Sequence, residues 1–167
     1  MTAREMSRES LEDRQRDVYE SHRHRVFSVS YYMTGSEIEA EDLLRGTFIS
    51  AFRQAEEPDQ AMIDAALIER LKARMVLEDG ELVFVPGVAV LPGGRNIQRA
   101  DLEEAIRCLP ANERLVFLLM DVEGYAADQI AGLLHKGKAS ILRTALTARL
   151  RLRSELAAML EDGQQAA

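Results

Sequence analysis

At 167 residues the chain is long enough for one medium-sized domain or two small ones. Hydrophobic residues make up 47% of it, ample for a core, while only 5% aromatics and no Trp point to aliphatic helix packing. A formal net charge of -7 implies weak nucleic-acid binding unless positive charge is locally concentrated or a partner contributes, and a lone cysteine, Cys108, excludes an internal disulfide or a multi-cysteine metal site.

Residues 11 to 33 carry Val18, His22, Val26, Val29 and Met33 at spacings of three and four, which predicts an amphipathic helix. Thr34-Gly35-Ser36 interrupts it, with Gly35 suited to a C-cap and Ser36, followed by Glu39, suited to a capping box for the next helix. That second helix runs through Leu43, Leu44, Thr47, Phe48, Ala51 and Phe52 to about Gln54. A turn at residues 56–59 precedes a third helix from Ala61 to Leu77, with Ile63, Leu67, Leu71 and Met75 one above another.

The composition then changes. Leu82-Val83-Phe84-Val85 and Val88-Ala89-Val90-Leu91 flank Pro86-Gly87, which reads as two short extended segments around a turn, closed off by Pro92-Gly93-Gly94. So apolar a connector is expected to pack against one of the bundles. Its longest apolar run, Leu82 to Leu91, falls short of the ~18 residues that span a bilayer, and the charged N-terminus has no secretory pattern. The expectation is a cytoplasmic protein without membrane insertion.

After the connector, Asp101 is placed to cap a helix from Leu102 to Leu109, and Cys108 reads as a small core residue within it. Pro110 opens a helix from Ala111 to Asp121, ended by Gly124. A short helix from Asp128 to Leu134, a turn at 135–138 and a long helix from Ala139 to Leu160 follow, with residues 163–167 expected to fray. The fold class is therefore all-α: two small helical bundles, residues 1–77 and 99–167, joined by an apolar, extended or hairpin-like linker at 78–98.

The basic residues Lys136, Lys138, Arg143, Arg149, Arg151 and Arg153 fall in one stretch that contains no Asp or Glu. A basic helix following a short helix and a Gly-containing turn has the order of a DNA-reading helix-turn-helix. In the last helix Ile141, Ala145, Ala148, Leu152 and Leu156 make one buried stripe. Ser140, Arg143, Thr144, Thr147 and Arg151 fall on another face, where hydroxyl and guanidinium groups suit phosphates and base edges. The bland alternative is a solvated basic face on a structural helix.

Two segments carry a family resemblance. Tyr19 to Phe27, Thr34-Gly35 and Ala40-Glu41-Asp42-Leu43-Leu44-Arg45-Gly46-Thr47-Phe48-Ile49-Ser50-Ala51-Phe52 resemble conserved region two of the sigma-70 family. Leu109 to Leu119, Asp121-Val122-Glu123-Gly124-Tyr125 and Gln129-Ile130-Ala131 resemble its region four. The two-domain layout looks like the extracytoplasmic-function subgroup. What this resemblance implies is a non-enzymatic bacterial transcription factor that directs core RNA polymerase to promoter DNA through the −10 and −35 elements. It also leaves room for an anti-sigma factor as partner. Carried over by position, Asp42, Arg45, Phe48 and Ile49 would face the polymerase. Arg70, Lys72 and Arg74 would face the −10 element. Lys136, Lys138, Ser140, Arg143, Thr144, Thr147 and Arg151 would face −35 DNA, with Arg143 placed for base reading and the two lysines for phosphate.

The chain also departs from the family pattern. Arg45-Gly46 stands where the family usually has Gln and an acidic residue, and the third helix lacks the aromatics that stack on unpaired promoter bases. Ala126 replaces a capping Ser, and Leu142, Leu146 and Leu150 add a second apolar stripe suited to a protein surface. These departures favour a second reading, a sigma-like regulatory module without initiation activity that acts as a decoy or binds an anti-sigma factor. A third reading is a stand-alone helix-turn-helix repressor. No cofactor is implied. His22 and His24, two apart on a helix, face different ways and do not suit a metal, and Gly93-Gly94 lacks the Lys-Ser/Thr of a phosphate loop.

Overall fold

The computed structural model describes residues 2–78 and 97–165, and every regular element among them is helical. The apolar segments 82–85 and 88–91 read as a hairpin-like linker lie outside the described residues. The chain divides into two compact units, Met1–Met75 and Val76–Ala167.

The first unit holds α1 (Ala3–Thr34), α2 (Glu37–Gln54) and α3 (Gln60–Lys72). Helix α1 begins eight residues before its predicted start, because its first turns are stabilised by polar contacts that leave no hydrophobic period to read. Thr2 and Glu5 form a reciprocal cap, and Arg14 reaches Glu57 at 2.6 Å while Gln15 donates to the Glu56 carbonyl at 3.1 Å. Gly35 closes α1 at φ 71, with its N–H on the Tyr31 carbonyl, and Ser36 Oγ accepts the Glu39 N–H at the start of α2. Asp59 caps α3 by accepting the Met62 N–H at 2.9 Å. Helix α3 stops at Lys72, short of the predicted Leu77. Past Leu71 the chain meets no further core, and both Arg74 and Met75 fold back onto the Leu71 carbonyl.

The predicted stripes meet in one apolar centre made of Val26, Val29 and Met33, of Ala40, Leu43, Phe48 and Ala51, and of Ile63, Leu67, Ile68 and Leu71. Through it runs an ion pair, Arg25 to Asp64 at 2.8 Å.

The second unit holds α4 (Arg99–Cys108), α5 (Ala111–Phe117), a π-helical turn (Leu118–Val122) that continues α5, α6 (Ala127–Leu134) and α7 (Lys138–Gln165). Asp101, expected as the N-cap of α4, lies one turn inside it and accepts the Gln98 N–H from there. Cys108, expected in the core, is exposed on the last residue of α4, with Leu109 taking the buried position instead. The π turn closes with Glu123 N–H on the Leu118 carbonyl, and Gly124 at φ 76 turns the chain back. Helix α7 runs through Gly163 to Gln165, beyond its predicted end, with Leu160 still fully packed. Its stripe of Ile141, Ala145, Ala148, Leu152 and Leu156 is buried as predicted, and the two alanines let α7 approach its neighbours closely.

Candidate functional site

In the first unit, α1 and α2 leave an open groove of about 540 Å³ lined by Tyr19, Glu41, Leu44, Arg45, Phe48, Ile49 and Phe52. Phe48 forms its floor: the ring is buried, meets Tyr19 edge-on at 4.8 Å and lies 6.1 Å from Phe52. Ile49, 45% exposed, and Arg45 stand at the rim. Three of the four residues assigned to a polymerase face thus share one site.

Asp42 is the exception. It lies on the neighbouring flank of α2 and forms an ion pair with Arg74. Tyr19, Leu44 and Phe52 lie in the segments that carry the resemblance but were not assigned to the polymerase face; Tyr19 joins the groove through its packing against Phe48 of α2.

Gly46, the residue where α2 departs most from the family pattern, has a structural consequence. A Cβ there would lie 2.8 Å from Arg70 Nε and closer still to the rest of the guanidinium. Arg70 therefore lies across the bare backbone of α2, with its Nε buried and unbonded. Gly46→Ala is expected to push this flexible group aside and to stabilise the first unit by up to ~1 kcal/mol through helix propensity. A urea midpoint lower than the wild type's would overturn that. Of the other residues assigned to the −10 element, Lys72 pairs with Glu69 at 3.3 Å and Arg74 with Asp42.

In the second unit, α6 and α7 form the helix-turn-helix, joined through His135, whose left-handed φ of 53 ends α6. The stretch free of acids in sequence is not free of them in space. Lys138 reaches Asp128 at 3.4 Å, Arg149 binds Asp121 at 2.6 and 2.9 Å, and Arg151 binds Glu113 at 2.8 and 3.2 Å. Donating to Asp121 and Glu113 holds the Arg149 and Arg151 guanidiniums above their ordinary pKa. Lys136 is half-buried and donates to the Leu77 carbonyl at 3.3 Å.

Arg151, expected to face DNA, is half-buried beside the apolar stripe and is taken up by Glu113 of α5. Arg143 lies on the exposed side and makes no side-chain bond among the described residues. Ser140, Thr144 and Thr147 are half-buried along the same side, and the last two donate their hydroxyls to the carbonyls of Ser140 and Arg143 at 3.0 Å. Of the second apolar stripe, Leu142 and Leu146 are 49% and 56% exposed on α7, whereas Leu150 is half-buried.

Among the described residues, no cluster of three or more His, Cys, Asp or Glu side chains could hold a metal, and no helix is long and apolar enough to cross a membrane.

Comparison with known proteins places both units. Residues 18–65 match the sequence model of sigma-70 region 2, and residues 99–152 that of sigma-70 region 4, together more than half of the chain. The ECF RNA polymerase sigma factor SigE of Mycolicibacterium smegmatis is 25% identical over 90% of this chain, which spans 65% of that relative's length. The sigma factor RpoE of Bartonella quintana, solved in complex with the anti-sigma factor NepR, has the same fold at a TM-score of 0.61 and 20% identity, covering 83% of this chain and 91% of that one. With both regions matched in the family's order, the chain belongs to the sigma-70 family.

Proposed function

We propose that the chain is a cytoplasmic, non-enzymatic transcription initiation factor that joins core RNA polymerase and directs it to promoters. In this reading the groove on α2 receives an apolar side chain of the polymerase, with Arg45, Phe48 and Ile49 as its contacts and Asp42 at its flank. Arg70, Lys72 and Arg74 approach the −10 element. On α7, Arg143 reads base edges in the −35 major groove, flanked by Ser140, Thr144 and Thr147, while Lys136 and Lys138 hold phosphate.

One observation carries the reading: an aromatic-floored groove on α2 and a helix-turn-helix bearing an exposed Arg143 occur in the family's order on one chain. The test is titration of the purified protein with core RNA polymerase at low salt. A complex with defined stoichiometry is expected; no complex sinks the reading.

The exposed Leu142 and Leu146 favour a second reading, in which a protein such as an anti-sigma factor covers α7 and the chain regulates without initiating. Run-off transcription with core polymerase separates the two, because a transcript excludes a pure decoy.

A further inference from the structure

Two of the three cations assigned to the −10 element are ion-paired in the free chain, and the other lies against α2 without an ion pair among the described residues. Arg70 lies across Gly46, and Arg74, on the turn after α3, donates to Asp42. The third, Lys72, pairs with Glu69. Asp42 is 58% and Arg74 32% exposed at the side chain, so an incoming charged group can reach both.

Granted that α2 is the polymerase-docking helix, we propose that Asp42 is a positioning residue that holds Arg74 off DNA until a cation of the docking partner engages the same carboxylate. A second cation at Asp42 loosens Arg74 in two ways. It shares the carboxylate's lone pairs, and it repels the guanidinium. Covering α2 therefore releases a positive charge on α3, and by reciprocity DNA bound at Arg74 favours docking at Asp42.

The test needs no polymerase, so its failure is distinct from failure of the docking reading. The full chain is titrated against a fluorescent single-stranded oligonucleotide by anisotropy over a range of salt concentrations. Asp42→Ala is expected to bind about three- to fivefold tighter, the range open to a solvent-exposed pair. Its plot of log affinity against log salt should steepen by ~0.7, the value for one added phosphate contact on a single strand.

Glu39→Ala removes the same charge from the same helix without touching an arginine, and should leave the slope unchanged. Adding Arg74→Ala to Asp42→Ala should cancel the gain. The proposal is overturned by an unchanged slope in Asp42→Ala, by equal steepening in Glu39→Ala, by a gain that survives loss of Arg74, or by no binding of Asp42→Ala at the lowest salt.

Discussion

Replacing Asp64 with alanine is expected to cost the first unit about 3–5 kcal/mol, much of the ~5–15 kcal/mol by which a domain of ordinary stability stays folded. Asp64 Oδ1 accepts from Arg25 Nε at 3.3 Å and Nη2 at 2.8 Å, with side chains only 6% and 15% exposed. The other arm of Arg25 donates to His22 Nδ1 at 2.8 Å. Burial first, and then the charge of Arg25, hold the His22 imidazole below its ordinary pKa, and because a guanidinium can only donate, Nδ1 is the acceptor. Without Asp64 the guanidinium stays in the bundle with no counter-charge. The double replacement Arg25→Met/Asp64→Leu removes both charges and should recover most of the loss. Urea unfolding followed by circular dichroism reads both variants; a single replacement no costlier than the double would show that the pair is unimportant.

The same pair marks the limit of what the sequence discloses. Helix positions and buried stripes are local periodic signals. Val26, Val29 and Met33 on α1 and Ile141, Ala145 and Ala148 on α7 could be read because burial repeats with the helical turn. Helix ends set by polar contact were less legible: α1 begins eight residues early on a Thr2–Glu5 cap and an Arg14–Glu57 bridge that leave no apolar pattern. Charge was read least well. Counting along the chain makes the segment from Lys136 to Arg153 a run of unopposed cations. Folding then brings Asp121, Asp128 and Glu113 to three of them from residues as far as 38 positions away. Similarly, Asp42 and Arg74 were assigned to separate partners, and a separation of 32 residues hid that they bind each other. The groove was half legible. Arg45, Phe48 and Ile49 came with the α2 motif, whereas Tyr19 joins through its packing against Phe48.

Arg143 and Arg151, placed together on one DNA-facing side by sequence, are expected to separate in experiment. Arg143→Ala should weaken binding to promoter duplex by about 1–3 kcal/mol, the range for a base-reading arginine, and leave the unfolding midpoint unchanged because its side chain packs against nothing it must hold. Arg151→Ala should do the reverse. Its fork grips Glu113, whose carboxylate is only 11% exposed and would be left without its partner, at about 1–3 kcal/mol of stability in the second unit. Adding Glu113→Gln to Arg151→Ala should restore part of that loss, because a neutral amide is cheaper to leave unpaired than a carboxylate. Urea midpoints and duplex anisotropy on the same preparations read both quantities. If Arg151→Ala instead weakens DNA binding as much as Arg143→Ala at unchanged stability, its bond to Glu113 opens on the promoter and Arg151 contacts DNA.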